Sequence, residues 1–479
     1  MKYTLYAAGE QSVNKQFMQM ERHFKDTDII GCSLKNSAVW DKGCYCQIFW
    51  GTEDIEKLHE EGKKLLIPEV SQESLEEQRK AADFYWKAMR ELLKAVEKNA
   101  GLTEAYDAYA YALRRVYAHF ITTTGPVVLA VENKLKEILG NFFGNKADEI
   151  SRVLTTPTEK DILFEELADW KEVLKNPSKE NVLKHTKKYS ILLANIFSEQ
   201  EAMEWANHRM KEKSWQVIEK EIGESQRRKN ELKTRQQEIF KKLNSKEAEQ
   251  LSSFLCQGGV TRLLLKACWN GEAYHLLPFY EKMAEKTGCS VRDVYMFYTW
   301  KEISNLLHHG INLSKEELEK RKKYCLLHLS EDKIDIYNGE EALEMKKKIL
   351  EPSLPSEETT SFSGSIANQG IAVGQVKVLK VDNPIEIQKL TQTLGPHHIL
   401  VTGMTNPTMV VLIDKVKGII TDEGGITCHA AIISREFGLP CLVGCQIATM
   451  VLKDDDYVVL DANKGVVKKI SEEEFNKLK

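Results

Sequence analysis

What this 479-residue sequence lacks narrows it first. There is no excess of charge of either sign, since 67 Lys+Arg face 71 Asp+Glu for a formal net charge of -4. Such a balance gives no general attraction to nucleic acid or to an anionic membrane, so a small molecule or another protein is the expected partner. No apolar run approaches the roughly 20 residues needed to span a bilayer. The start, Met1-Lys2-Tyr3-Thr4-Leu5-Tyr6-Ala7-Ala8-Gly9-Glu10, holds too short an apolar stretch for a secretory signal. The expectation is a cytoplasmic protein. Neither glycine motif that cradles phosphates, G-x-x-x-x-G-K-[ST] or G-x-G-x-x-G, occurs. The ten cysteines are spread along the chain without a C-x-x-C pair, the closest groupings being Cys44-Tyr45-Cys46 and Cys441 to Cys445. That spacing argues against a structural zinc site. Reduced, mainly buried thiols are expected.

What is present divides the chain into regions, and the length allows two or three domains. Residues 1–72 read as a small α/β unit. Asp28-Ile29-Ile30-Gly31-Cys32 and Cys46-Gln47-Ile48-Phe49-Trp50 are candidate strands, and residues 16–24 are a candidate helix. Residues 36–43 are turn-rich and polar, then aromatic, and could line a ligand site or form a plain β-turn. Residues 73–350 read as a large all-helical middle domain. Phe84, Ala88, Leu92 and Val96 give one apolar stripe at helical spacing, and Tyr106, Tyr109, Leu113, Val116 and Phe120 give another. Residues 201–243 contain a long solvated helix, in which Arg227-Arg228-Lys229 is flanked by Glu224 and Glu231. Thr122-Thr123-Thr124-Gly125-Pro126 is a hydroxyl-rich break of a kind that often meets an oxyanion. Arg114, Arg115, His119, His185, Lys187, Lys188 and Tyr189 are further candidates for an anionic substrate, each also explained by structure or exposure. Residues 351–365, with Pro352, Pro355 and dense Ser/Thr, read as a hinge linker. Residues 366–472 follow as a layered β/α domain, with strands around 370–379, 399–402 and 417–421 and a hairpin over 457–468.

One stretch in this last domain declares a chemistry: Thr421-Asp422-Glu423-Gly424-Gly425-Ile426-Thr427-Cys428-His429-Ala430-Ala431-Ile432-Ile433-Ser434-Arg435-Glu436-Phe437-Gly438-Leu439-Pro440. A buried strand runs into a glycine turn, and residues 427–437 then read as a helix with Ala430, Ile433 and Phe437 on one stripe. Gly438 and Pro440 supply the stop. His429 therefore falls in the first turn, where unpaired backbone N–H groups and the helix dipole favour an anion. Glycines let the backbone approach that anion closely. A neutral imidazole nitrogen is a competent nucleophile near pH 7. Cys428, beside it, is the one thiol with a possible reactive role, although packing explains it as well.

This stretch resembles the phosphohistidine swivelling domain of the phosphoenolpyruvate-utilising enzymes, a family that includes phosphoenolpyruvate synthase, pyruvate phosphate dikinase and rifampin phosphotransferase. Thr421, Gly424, Gly425, Thr427, His429, Ala430, Ala431, Arg435, Glu436, Gly438 and Pro440 match its motif. Cys428 and Ser434 stand where Ser and Ala are usual. Residues 298–307 and 314–321 are similar to the helical connector of the rifampin phosphotransferase branch, while Ser314 to Glu317 also reads as a plain capping box. The resemblance implies a multidomain α+β phosphotransferase in which His429 is the nucleophile, with Thr427 in support and Gly424, Gly425 and Arg435 holding the phosphate. It implies Mg²⁺ at a transfer site the sequence does not locate, because cations neutralise the transferred oxygens.

In the family the donor site is an ATP-grasp domain or a phosphoenolpyruvate-binding barrel, and neither is expected in this chain. The expectation is a phosphotransferase component that moves a phosphoryl group from ATP or phosphoenolpyruvate to a small-molecule acceptor, with a separate ATP-grasp or phosphoenolpyruvate-binding protein as partner. A binding or regulatory protein without turnover, and a pure phosphocarrier, are the alternatives.

Overall fold

The computed structural model describes residues 2–25, 34–43, 45–331, 333–356, 358–380, 384–405, 409–425 and 428–478. The expected strand at 28–32 and the site residue Thr427 lie outside these. The chain divides into two units. One holds residues 1–20, 34–55 and 314–479, the other residues 21–33 and 56–313.

The first unit is built on two sheets. The smaller has five antiparallel strands in the order β1-β3-β2-β4-β5. These are β1 (Tyr3–Glu10), β2 (Asn36–Lys42), β3 (Tyr45–Gly51), β4 (Cys325–Ser330) and β5 (Lys333–Asn338). Residues 36–43 are therefore neither turn nor ligand loop. Their first seven form the central strand β2, with Ser37 opposite Trp50 on one side and opposite Leu329 on the other. Both flanks of β2 are paired and Asn36 through Asp41 are buried, so polar and apolar residues alike lie inside and the strand shows no solvent-face alternation. The expectation that 73–350 is all helix fails at the same place. Residues 325–338 are the strands β4 and β5, and the helix Gly339–Ile349 packs its Ala342 into the small sheet's core with Tyr3, Trp40, Phe49 and Leu326.

The second sheet has eight strands in the order β6-β13-β12-β8-β9-β10-β11-β7. They are β6 (Ser361–Ser363), β7 (Ser365–Asn368), β8 (Ile371–Leu379), β9 (His398–Thr402), β10 (Gly418–Thr421), β11 (Cys441–Val443), β12 (Tyr457–Asp461) and β13 (Val466–Ile470). Strands β8 to β11 run parallel, and the flanking pairs are antiparallel. Side chains alternate across the sheet. Ile399, Val401, Ile420 and Leu442 enter one core layer, and Leu400, Ile419, Cys441 and Val443 enter the other. Two covered faces explain why β9 and β10 read as unbroken apolar runs. The linker expected at 351–365 is shorter than that. Ser353 Oγ accepts from the Tyr3 amide at 2.9 Å, and 361–368 are already strands because Phe362 is buried. Only residues 355–360 connect the two sheets.

The second unit is a helical assembly, and in it the expected apolar stripe holds at Ala88 and Leu92 and shifts by one at its two ends. In the helix Pro68–Lys98 the buried face is Ala81, Tyr85, Ala88, Leu92 and Ala95, while Phe84 is 40% exposed. Thr299 and Glu302 form a reciprocal capping box on the helix Trp300–His309. The Ser314 hydroxyl, in the first unit, accepts from the Glu317 amide at 3.1 Å, but the Glu317 carboxylate turns to Asn338, so that cap is half of a box. Among the described residues no helix is long and apolar enough to cross a membrane.

Candidate active site

Three loops leave the C-terminal edge of the parallel strands β9, β10 and β11, the edge where open α/β sheets place their ligands. Backbone bonds lock them together. The amides of Asp422 and Glu423 donate to the carbonyls of Thr402 (3.1 Å) and Gly403 (2.8 Å), and those of Cys445 and Gln446 donate to Thr421 (3.0 Å) and Asp422 (3.1 Å). The carboxylate of Asp422, 2% exposed, accepts from the Ala448 amide, the Thr449 amide at 3.0 Å and the Thr449 hydroxyl. Burial pushes its pKa up to about 6 against the pull of those donors.

From this base the chain turns into the helix His429–Glu436, with Cys428 as an extended N-cap whose amide donates to Gly425 at 3.0 Å. Gly424 has φ +106°, and a β-carbon there would lie 2.7 Å from Cys428 Sγ, so a side chain is excluded twice over. Gly425 has nothing within 4 Å of the same position. The two glycines expected to act alike are unequal. The helix seats on its small residues, Ala430, Ala431 and Ser434, all buried. Phe437, expected on the buried stripe, is 41% exposed, because the close approach to the sheet admits only small side chains.

His429 occupies the first helical position and is half-buried. Its Nδ1 lies 2.9 Å from the hydroxyl of Thr405, which is buried in the loop after β9. That partner was missed in the sequence. Arg435, expected at the phosphate, lies in the helix's last turn, about 9 Å along the axis from His429. Its Nε donates to the Ala367 carbonyl at 2.9 Å, tying the far end of the helix to β7. Among the described residues no three His, Cys, Asp or Glu side chains gather as metal ligands. Asp422 is committed to residues 448 and 449, so among the described residues its carboxylate is not available to a cation.

With that geometry in view, residues 394–465 match the family described as PEP-utilising enzyme, mobile domain. The C-terminal domain is similar to the PEP-utilising mobile domain over these residues. Over 101 residues the chain is 50% identical to a probable phosphoenolpyruvate synthase of Methanothermobacter thermautotrophicus, covering 21% of this chain and 14% of that one. Against a probable phosphoenolpyruvate synthase of Archaeoglobus fulgidus it is 45% identical over 124 residues, 26% and 16% of the two chains. The uncharacterized phosphotransferase YvkC of Bacillus subtilis is 33% identical over 201 residues, 41% of this chain and 23% of that one. The matches therefore span less than a quarter of these relatives. A solved aconitase X from Thermococcus kodakaraensis covers 24% of this chain and 100% of its own at 17% identity, with a TM-score of 0.18. The match to YvkC is longer than everything from Ser361 to the end of the chain, so it extends beyond the mobile domain.

The other candidates all lie in the helical unit, and each is taken up by its neighbours. The hydroxyls of Thr122, Thr123 and Thr124 donate to the carbonyls of His119, Phe120 and Ile121 at 2.6 to 2.7 Å. Gln78 donates to Thr122, and Arg262 reaches both the carbonyl and the hydroxyl of Thr123. Arg114 pairs with the buried Glu21 at 3.2 Å. His119 lies 3.3 Å from Arg115, and burial lowers its pKa to about 4. His185 sits between Glu166 (2.8 Å) and Asp169 (2.7 Å), with Arg209 on Glu166 and Lys188 on Asp169. Lys187 pairs with Glu199, and the Tyr189 ring leans on His185. These groups knit helices together.

Proposed function

We propose that this chain is the carrier component of a phosphotransferase. His429 accepts a phosphoryl group from ATP or phosphoenolpyruvate at a donor site on another chain and passes it to a small-molecule acceptor. The observation that carries this reading is the Thr405–His429 pair at a helix N-terminus. When Nδ1–H donates to Thr405, the lone pair of the neutral ring resides on Nε2. That nitrogen attacks phosphorus, the bond to the leaving oxygen breaks, and the oxygen departs with its electron pair. In the second half an acceptor oxygen attacks phosphorus, its proton passes to a base, and the N–P bond breaks.

The helix N-terminus favours the phosphorylated state by its dipole and backbone donors. Mg²⁺ would neutralise phosphoryl charge at the transfer site, and among the described residues of the mobile domain no cluster of ligands gathers to hold it. The match to YvkC, named an uncharacterized phosphotransferase, runs beyond the mobile domain and supports phosphotransfer without naming the acceptor.

The test is intact mass and acid-labile phosphate after incubation with Mg²⁺ and either ATP or phosphoenolpyruvate, with and without a separate ATP-grasp protein from the same source. One phosphate, stable in base, labile in acid and absent from His429→Ala, is expected only with the partner present. Labelling that persists in His429→Ala would sink the assignment. Labelling without any partner would place the donor site in this chain.

A further inference from the structure

The short helical turn Ala448–Val451 faces two ways. Ala448, Val451 and the following Leu452 belong to the mobile domain's core. Met450 instead packs on the core of the five-stranded sheet, with Tyr3, Leu5, Trp40 and Phe49. Beside it the Tyr45 phenol, at the start of β3, lies against the Thr449 hydroxyl.

The polarity of that contact follows from its neighbours. The Thr449 hydroxyl spends its one proton on Asp422, so it faces Tyr45 as an acceptor. Burial keeps that phenol protonated, with a pKa pushed up to about 12. The chain Tyr45 to Thr449 to Asp422 thus ends at the base of the loop that carries His429.

We propose that residues 447–452 are a parking latch. Through Met450 and the Tyr45–Thr449 contact they hold the mobile domain against the five-stranded sheet, and Asp422 carries the parked state into the His429 loop. Release of the latch frees the domain on the connector 355–360. The latch rests on the proposed function only in that a carrier histidine must travel between a donor and an acceptor site.

Hydrogen exchange on the full chain tests the latch without phosphorylation. Met450→Glu is expected to raise exchange of residues 45–51 and 446–452 by at least about tenfold, since it removes a partly buried apolar side chain from the sheet's core and puts a charge in its place. Exchange of β9 stays as in the wild type. Tyr45→Phe, which removes one oxygen, is expected to raise the same two segments by roughly two- to tenfold, the worth of one neutral hydrogen bond. Unchanged exchange in both variants overturns the latch. Should Met450→Glu loosen β9 as well, Met450→Ala takes its place, and unchanged exchange in Met450→Ala and Tyr45→Phe overturns it equally.

His429 labelling, run in parallel, separates the two claims. Faster exchange with no labelling in any protein upholds the latch and sinks the phosphotransfer reading. Labelling with unmoved exchange does the reverse.

Discussion

His185 and His429 are two histidines in two settings, and the contrast separates what holds the molecule together from what acts. His185 is 2% exposed between two carboxylates, with an arginine and a lysine completing the charge balance. His429 is half-buried, has a neutral hydroxyl on Nδ1 and stands at a helix N-terminus entered through glycine. A charge network of the first kind holds its members in fixed roles and costs several kcal/mol to break. A hydroxyl on Nδ1 orients the ring and adds no charge of its own. The lesson is that basic and aromatic residues in the helical unit, however suggestive, answer to one another.

The largest effect that would break this comparison is in the helical unit. Glu166→Ala leaves His185 and Arg209 facing a lost partner, and a loss of about 3–5 kcal/mol is expected in denaturant unfolding of that unit. His429 labelling of the folded protein should be unchanged. A labelling defect in folded Glu166→Ala would mean that the network belongs to the active machinery.

Acid and base should act on the two regions with opposite sign. The carboxyls of Glu166 and Asp169 are held below their ordinary values against the cost of burial, by hydrogen bonds from His185 and from Arg209 or Lys188 and by the charges of those groups. Their contribution is present above the ordinary carboxylate range and is lost as pH falls through it. Asp422 is raised from 3.8 to about 6 by burial. Its contribution is therefore full below pH 4 and is lost as pH rises to 6. That interval corresponds to at most about 3 kcal/mol. Melting of the mobile domain in wild type and Asp422→Asn at pH 4 and pH 6 reads it. The wild type should lose ground to the variant as pH rises, and parallel behaviour would show that the three donors keep Asp422 ionised throughout.

The glycine pair sharpens the comparison within the mobile domain. Gly424→Ala meets Cys428 Sγ in a backbone conformation that an alanine rarely adopts, and about 1–3 kcal/mol of strain is expected, together with slower labelling. Gly425→Ala meets nothing and should stay within about 0.5 kcal/mol of wild type. Equal effects would mean that the loop is read by its partner's surface and not by its own packing.

How much of this was legible follows the reach of each signal along the chain. The 421–440 stretch carries its own turn, N-terminus and stop, so the helix and the place of His429 follow from local chemistry. The strands β9 and β10 are legible as short apolar runs. The five-stranded sheet is not, because β2 pairs with β4 from the far side of the helical unit, Asn36 against Ser330, and nothing local announces such a partner. Arg435, expected at the phosphate, stands in a helix's last turn, where the dipole and a carbonyl of β7 also account for a basic residue. Thr405 stands 24 residues ahead of His429 and reaches it only because β9 and β10 are parallel neighbours. A signal for it exists, however. Each of the two apolar runs ends in a threonine at the same edge of the sheet, Thr402 and Thr421, and the hydroxyl-bearing loop after β9 follows at once.

Thr405 also gives the smallest expected effect. Thr405→Val keeps the shape and removes the hydroxyl, so the ring of His429 loses one hydrogen bond worth about 0.5–1.5 kcal/mol. Labelling should slow by roughly two- to tenfold, with the mobile domain's melting unchanged within about 0.5 kcal/mol. Thr405→Ser should restore the rate, because only the oxygen is needed. The pH dependence of labelling distinguishes orientation from mere packing. Without an acceptor at Nδ1 the tautomer with its lone pair on Nε2 loses its advantage, so the slowing persists on the alkaline side, where the imidazole is neutral in both proteins. A slowing confined to acid pH would instead mean that the hydroxyl acts on the charge of the ring and not on its orientation.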